Sequence, residues 1–85
     1  MYYVYLLKLN NSDSKQKYYI GSTPDLKKRF KEHQAGKSYF TKKYLPLELI
    51  YFEGYSDAEL AKEREKKLKK FGSSYNGLLK RLNLK

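Results

Sequence analysis

An 85-residue chain without cysteine must fold on one small hydrophobic core, because no disulfide or thiolate metal site can stabilise it. This length is typical of a single domain, which we expect to span residues 1–85. The lack of cysteine suits a reducing compartment, so we predict a soluble, cytoplasmic protein. The apolar run at 2–7 is too short to cross a membrane, and Met1 alone precedes it, without the basic flank of a signal peptide.

The chain carries 19 Lys and Arg residues against 9 Asp and Glu, a formal net charge of +10. Such a charge attracts polyanions, nucleic acid first and anionic membrane surfaces second. A lysine-rich surface that serves solubility alone is the alternative, since sixteen of the cations are lysines. The ten tyrosines favour nucleic acid slightly, because aromatic faces can stack on bases. We therefore expect a nucleic-acid partner and no membrane.

The patterning of apolar and polar residues predicts the element order β-β-α-β-α-α. Residues 2–9 and 16–22 are rich in the aromatic and β-branched residues of strands, and a polar turn at 10–15 would pair them as an antiparallel hairpin. A third strand at 47–54 follows a basic loop at 37–45. The predicted fold is α+β, a three-stranded antiparallel sheet flanked by three helices.

Capping residues predict where the three helices begin and end. The first begins at 23–25, where Thr-Pro-Asp supplies a cap, a first-turn proline and an acid, and it stops at Gly36. The second is predicted to have Ser56 as its cap and to end at Gly72. Ser73 or Ser74 would open a short last helix that runs to Leu82.

The helical phase places three ionisable side chains toward the predicted core. In the first helix His33 falls inside the apolar stripe and Arg29 on its edge, while the lysines point to solvent. In the second helix Glu65 falls near the middle of the stripe, where a carboxylate needs a partner or a metal. A structural ion pair with an arginine or a tyrosine hydroxyl is one alternative for Glu65. A hydrogen-bonded core histidine and a surface cation are the ordinary alternatives for His33 and Arg29.

Taken together, these residues resemble the GIY-YIG nucleases. Tyr3-Val4-Tyr5 resembles the first motif of that family, and Tyr19-Ile20-Gly21 matches the second. Residues 22–33 resemble its first helix, with an arginine and a histidine four residues later, and residues 61–68 resemble the helix that carries its metal-binding glutamate. The resemblance covers nearly the whole chain. It is greatest to small stand-alone bacterial proteins related to the nuclease domain of the excision-repair incision subunit, which implies a role in DNA repair.

The resemblance implies hydrolysis of DNA phosphodiester bonds with one Mg²⁺ or Mn²⁺. Tyr5 would take the proton of the attacking water, if Arg29 and the metal lower a phenol pKa that is ordinarily near 10. Tyr19 would position the water or the phosphate, and His33 would tune Tyr5 or relay its proton. Arg29 would bind the phosphate through its forked guanidinium. Glu65 would hold the metal, which would stabilise the leaving oxygen.

Some details of the match differ from the family pattern or stay open. Tyr3 stands where the first motif has glycine, and the hairpin loop is slightly long. Asn76 is a candidate for a late asparagine of the family, although a position at a helix start fits it equally well. Gly21 would let the backbone pass close at the strand end. Strand tyrosines such as Tyr5 are ordinarily packing residues.

Two other functions fit the same sequence. One is a non-catalytic nucleic-acid-binding module on the same fold, and the other is a small basic RNA-associated protein. Binding needs only the cationic surface, whereas cleavage needs Tyr5, Arg29 and Glu65 together. Because we see no second domain that would choose a sequence, we expect weak sequence preference, or targeting by a protein partner or a distorted substrate. We also expect a monomer or a weak homodimer.

Overall fold

The computed structural model describes residues 1–10 and 17–84. Its elements follow the predicted order: β1 (Tyr2–Lys8), β2 (Tyr18–Thr23), α1 (Leu26–Gln34), β3 (Glu48–Tyr55), α2 (Ala58–Lys70) and α3 (Gly72–Arg81). The predicted turn at 10–15 lies outside the described residues apart from Asn10, and so does residue 16 of the predicted second strand. In the described part of the chain, no helix has both the length and the apolar character needed to cross a bilayer.

The sheet is three-stranded with the order β2-β1-β3, and β1 pairs antiparallel with both neighbours. The predicted α+β fold is therefore confirmed. Because side chains alternate along a strand, Val4 and Leu6 pack against α2 and α3 on one face, whereas Tyr5 and Leu7 pack against α1 on the other. The central strand thus contributes one core to each face.

The caps of two helices differ from the prediction. Asp25 and not Thr23 caps α1, so Pro24 lies before that helix and not in its first turn. Asp25 caps α1 by accepting a hydrogen bond from the backbone N–H of Lys28. Asp57, rather than Ser56, caps α2 by accepting from the backbone N–H of Glu59. A carboxylate caps as well as a hydroxyl and also interacts favourably with the positive end of the helix dipole, which explains why an aspartate is the cap in both helices.

The joint between α2 and α3 is tighter than predicted. Phe71 alone separates the two helices, in an extended conformation with φ −107° and ψ 110°. Gly72 is the first residue of α3 and no serine opens that helix, so both predictions for this joint are wrong. One extended residue is enough to turn the chain, and a glycine stop is not needed.

The predicted basic loop contains a short 3-10 helix, Thr41–Tyr44, which the sequence pattern did not reveal. Residues on both sides of Tyr39 and Phe40 are anchored, because Ser38 and Thr41 are buried. Gly36, with φ +76°, lies just after α1 as predicted. This ordered segment brings Thr41 and Phe40 to the site described next.

Candidate active site

The ring of Tyr5 lies over Gly21, the residue that faces it across the ladder between β1 and β2. A methyl group added to Gly21 would lie only 2.6 Å from Cζ of Tyr5, so no larger residue fits there without displacing the ring. Tyr5 is buried, with 3% of its surface exposed. We predicted that Gly21 would allow close passage of the backbone, but it is the Tyr5 side chain that needs the space. The missing side chain lets the Tyr5 hydroxyl lie over the edge strand β2.

The Tyr5 hydroxyl contacts His33 of α1, with 2.9 Å between Oη and Nε2. The other ring nitrogen of His33, Nδ1, lies 2.8 Å from the hydroxyl oxygen of Thr41. His33 and Thr41 both have 0% exposure, as the helical phase predicted for His33. A neutral imidazole has one N–H, so it donates to one of these hydroxyls and accepts from the other. Tyr5, His33 and Thr41 therefore form one buried hydrogen-bonded chain.

The pKa values of Tyr5 and His33 disfavour proton transfer between them in the protein alone. Burial and the nearby charge of Arg29 together lower the pKa of His33 to about 4. Burial also raises the pKa of Tyr5 to about 12, although hydrogen bonding to Arg29 and its charge oppose this effect. Arg29 therefore lowers the pKa of Tyr5 as expected, but desolvation outweighs it in the protein alone.

The pKa of Tyr5 is raised to about 12 and that of His33 is lowered to about 4, so the proton stays on Tyr5 in the protein alone. Of the two roles that the resemblance implied for His33, these directions favour tuning of Tyr5 over relay of its proton. His33 fixes the direction of the Tyr5 hydroxyl.

Tyr19 extends this group along β2. Its ring centroid lies 6.5 Å from that of Tyr5 and 5.4 Å from that of His33. Phe40 stacks on the Tyr19 ring, with 5.7 Å between the centroids and 29° between the planes. These rings enclose the Tyr5 and His33 pair, which accounts for the strong desolvation of both groups.

Arg29 of α1 is the cation nearest to this group. Its Nη1 atom lies 3.4 Å from Oε1 of Glu32, and both side chains are 34% exposed, so this ion pair is weak. Burial lowers the pKa of Arg29, but hydrogen bonding to Tyr5 and the Tyr5 charge outweigh it, and the pKa lies above its ordinary value. Arg29 is therefore a permanent cation beside Tyr5, and its partial exposure leaves it accessible to a phosphate.

Glu65 approaches from the other side, on α2. Its Oε1 accepts a hydrogen bond of 2.5 Å from the hydroxyl of Ser22, and its Oε2 accepts one of 2.6 Å from Nζ of Lys69. The Glu65 side chain is 21% exposed and that of Lys69 is 49% exposed. Glu65 is thus in an ion pair within the chain, as its structural alternative predicted, but its partners are a half-exposed lysine and a serine hydroxyl and not an arginine or a tyrosine hydroxyl.

The residues around Glu65 fit a hard divalent cation that keeps most of its water. No group of three His, Cys, Asp or Glu side chains is close enough to hold a metal within residues 1–10 and 17–84. A single carboxylate that opens to solvent suits Mg²⁺ or Mn²⁺, whose remaining positions water and phosphate oxygens can fill. Lys69 would have to leave Glu65 for such an ion to bind. The donor set is unsuited to Zn²⁺, which prefers several nitrogen or sulfur ligands.

The two sides of the site meet at β2. Lys69, which pairs with Glu65, also places its Nζ 5.8 Å from the centroid of the Tyr19 ring. The five residues predicted for the site are therefore brought together: Tyr5, Tyr19, Arg29, His33 and Glu65. Asn76 is exposed in the middle of α3, so its alternative position at a helix start is wrong.

Sequence reasoning missed three neighbours of these residues. Ser22 directly follows the second motif, and its hydroxyl could have been flagged on that ground alone. Lys69 lies four residues after Glu65, the spacing at which helical side chains pair. No sequence pattern pointed to Thr41, because nothing in the basic loop indicates that one of its residues is buried against α1.

The sequence is similar to a known protein family and to several bacterial proteins. The family model described as the GIY-YIG catalytic domain matches residues 1–81. A UPF0213 protein of Streptococcus pneumoniae serotype 4 is 36% identical over 69 residues, which are 80% of this chain and 66% of that relative. A UPF0213 protein of Streptococcus pyogenes serotype M5 is 43% identical over 53 residues, 61% of this chain and 58% of the relative. The matches therefore span two thirds or less of these relatives. No solved structure matches the chain significantly.

Proposed function

Because this chain belongs to the GIY-YIG catalytic domain family, we propose that it is a metal-dependent endonuclease that hydrolyses DNA phosphodiester bonds with low sequence specificity. The observation that carries the proposal is the meeting at one sheet edge of a buried tyrosine hydroxyl and a solvent-facing carboxylate. Tyr5 reaches that edge across Gly21, and Glu65 reaches it from α2 through Ser22. A packing role explains neither the glycine under the Tyr5 ring nor the carboxylate on the inner side of α2.

In this proposal Arg29 and Glu65 bind the two charged parts of the reacting group. Arg29 holds a non-bridging oxygen of the phosphate, because its guanidinium is charged at every relevant pH and its fork matches phosphate geometry. Glu65 holds Mg²⁺ or Mn²⁺, which when bound neutralises charge on the phosphate and on the leaving oxygen. Preorganised charges of this kind commonly provide the largest part of the rate enhancement.

Tyr5 is the residue that orients the attacking water and takes its proton. Tyr5 must first lose its own proton to solvent, because only the phenolate can take a proton from water. In that state Nε2–H of His33 donates to the phenolate oxygen and Nδ1 accepts from the hydroxyl of Thr41. The remaining lone pairs of the Tyr5 oxygen face the attacking water. Tyr19, beside Tyr5, positions the water or the phosphate. The Tyr5 pKa of about 12 makes the phenolate scarce at neutral pH, so the cut should be slow there.

A non-catalytic nucleic-acid-binding module is the second candidate. The pairing of Lys69 with Glu65 favours it, because the carboxylate is already neutralised within the chain. The net charge of +10 serves either function. The UPF0213 name of the relatives carries no activity, so it does not distinguish the two.

The remaining parts of the proposal concern the cellular setting. One site cuts one strand at each encounter, so a double-strand break would need a homodimer or two visits. We propose that a protein partner or a distorted DNA structure directs the cut, as in DNA repair in the cytoplasm. RNA is the competing substrate, and the same assay tests it.

The proposal is tested by incubating the protein with nicked, branched and single-stranded DNA in Mg²⁺, in Mn²⁺ or in a chelator. We expect cutting that needs a divalent cation and that falls at least about 100-fold in Glu65→Gln, with affinity for DNA unchanged. Glu63→Gln, which removes an exposed acid from the same helix, is the matched control and should cut normally. Equal cutting by Glu65→Gln and the wild type would refute the nuclease assignment and leave the binding module.

A further inference from the structure

A groove of about 380 Å³ opens beside Tyr19, on the side away from His33 along the β2 edge. Its aromatic lining consists of Tyr18, Tyr19, Phe40 and Tyr75, and two aliphatic side chains and Lys69 complete it. These residues come from β2, the loop before the 3-10 helix, α2 and α3. The proposed chemistry uses only one of these aromatic residues, Tyr19.

Phe40 is held in place although it is largely exposed. Its surface is 41% exposed, yet it stacks on Tyr19 at 5.7 Å. Ser38 and Thr41, on either side, are buried and so fix the backbone that carries it. An apolar ring that is fixed at the surface beside a groove costs hydration free energy unless a ligand covers it. Phe40 therefore forms one wall of a preformed binding site.

The charge around the groove selects the ligand. Lys69 lines the groove and also pairs with Glu65 of the proposed site, so the two regions share a side chain. Lys62, Lys66 and Lys70 line the adjoining surface of α2. An apolar ligand would not need these cations, whereas a nucleotide brings an aromatic base together with phosphates.

The volume of the groove limits what can enter it. At about 380 Å³ it lies near the lower end of the range of ligand pockets, about 300–1,000 Å³, so it suits one base and not the end of a duplex. A base inside a duplex is stacked on both faces and must leave the helix before it can reach such a pocket. The ligand is therefore an unpaired nucleobase.

We propose that this groove binds one unpaired nucleobase next to the phosphate that is cut, so that the substrate is nucleic acid with an unpaired nucleotide at the cleavage point. The inference rests on the proposed nuclease function and specifies its substrate. Stacking is indifferent to the identity of the base, which agrees with low sequence specificity. It also provides targeting to distorted DNA without a second domain.

Binding measured in a chelator tests the proposal without relying on cleavage. The probes are a single-stranded oligonucleotide with one 2-aminopurine, the same sequence as a blunt duplex, and an RNA copy of the single strand. We expect quenching of 2-aminopurine in the single strand only. Phe40→Ala and Tyr75→Ala should each remove the quenching and weaken single-strand affinity roughly 5- to 150-fold, with duplex affinity unchanged.

Controls separate base stacking from a general disturbance of the site. Phe52→Ala, which removes an aromatic residue that is 53% exposed on β3, should change neither readout. Phe40→Trp should restore quenching. Tyr75→Ala serves as a second variant, because Phe40→Ala could shift Tyr19, on which Phe40 stacks.

The outcomes for the two proposals are distinct. If the wild type cuts DNA but Phe40→Ala and Tyr75→Ala bind single strands as tightly as it does, the base-binding inference is overturned and the nuclease proposal survives. If the wild type quenches 2-aminopurine and cuts nothing, the nuclease proposal falls and the groove remains a base-binding site. Equal quenching in the duplex overturns the requirement for an unpaired base.

Discussion

Two clusters in this protein are made of the same residue types but serve different ends. At the β2 edge, Glu65 lies with Ser22 and Lys69, near Tyr5 and Arg29. At the opposite edge of the sheet, Glu53 of β3 accepts hydrogen bonds from two tyrosines and one arginine, of 2.5 Å from Tyr51, 2.6 Å from Tyr55 and 2.7 Å from Arg64. A glutamate, tyrosines and an arginine at a sheet edge therefore do not by themselves define an active site.

The two clusters differ in how fully the carboxylate is hydrogen-bonded and buried. Glu53 is 16% exposed, and its three partners come from its own strand and from α2. Burial raises its pKa, but the hydrogen bonds from Tyr51, Tyr55 and Arg64 together outweigh burial, and the pKa lies below its ordinary value. Glu65, by contrast, is held by one hydroxyl and by a lysine that is half exposed. The Glu53 cluster is closed and the Glu65 site is open.

The tyrosines show the same contrast. Burial raises the pKa of both Tyr5 and Tyr55 to about 12. For Tyr55 the hydrogen bond to Glu53 adds to this effect, because a phenolate would lie against a carboxylate. For Tyr5 the neighbouring cation opposes it. The two tyrosines thus share a raised pKa but have neighbours of opposite charge.

The largest effect is expected from a methyl group placed under Tyr5. Gly21→Ala forces the Tyr5 ring to move, and displacement of a reacting group by about 1 Å can cost about 100-fold in rate. We therefore expect cleavage to fall about 100-fold, as measured with a nicked duplex. Gly54→Ala on β3 is the matched control, since its methyl group would come too close only to the flexible, exposed side chain of Met1 and would make an ordinary contact of 3.5 Å with the Tyr3 ring. Normal activity in Gly21→Ala would show that the position of Tyr5 is unimportant.

The pH dependence of cleavage separates Tyr5 from an ordinary acid–base pair. Since the Tyr5 pKa is about 12 and the His33 pKa about 4, the rate should rise about tenfold for each pH unit between 7 and 9, without an inflection near 6.5. The residual rate of Tyr5→Phe should lack this slope. Rates collected under single-turnover conditions check the prediction, and a plateau near neutral pH would mean that another group accepts the proton.

Removal of the Glu53 carboxylate should affect mainly stability, whereas removal of the Glu65 carboxylate should affect mainly activity. Glu53→Gln is expected to lower the free energy of unfolding by about 2 kcal/mol, because it removes the charge that pairs with Arg64 and replaces one acceptor oxygen by an NH2 group that faces other donors. Glu65→Gln should lower it by only about 0–1 kcal/mol, since its ion pair is half exposed. Urea unfolding of both variants measures the difference. If the two variants lose equal stability, the distinction between a closed and an open cluster is wrong.

The smallest expected effect is on acid stability. Because the pKa of Glu53 is depressed in the folded state, its contribution is complete above the unfolded value of about 4.3 and is lost as the pH falls through the folded value. The gap in unfolding free energy between the wild type and Glu53→Gln should thus stay constant from pH 7 to 5 and shrink below about pH 4. A gap that persists unchanged at pH 3 would show that Glu53 acts through packing alone.

The sequence predicted what depends on local patterns. Strand alternation and caps provided the element order, and helical phase alone brought His33 and Glu65 to the inner faces of their helices. What it could not provide depends on long-range contacts. Thr41 is buried only because an unpredicted 3-10 helix folds against α1. The raised pKa of Tyr5 depends on how completely neighbouring elements exclude water, which one strand does not encode.

The same limit explains why the partners of Glu65 were not predicted. Helical phase showed that this carboxylate faces inward, but it could not tell which side chains meet it. The partners proposed as its structural alternative, an arginine and tyrosine hydroxyls, are found at Glu53 instead. Glu53 drew no attention because it lies on a strand where alternate residues are exposed. Pairing across elements is a property of the assembled sheet and helices.

The position of β1 between the two outer strands has a consequence for engineering. Neighbouring strands are about 4.8 Å apart, so the outer strands are separated by about 10 Å. Substitutions that far apart usually contribute independently to stability. Tyr51 and Tyr55 on β3 can therefore be redesigned to make the protein more heat-resistant while residues of β2 are varied separately. Arg64 must stay as it is, because it binds Glu53 and directly precedes Glu65 on α2.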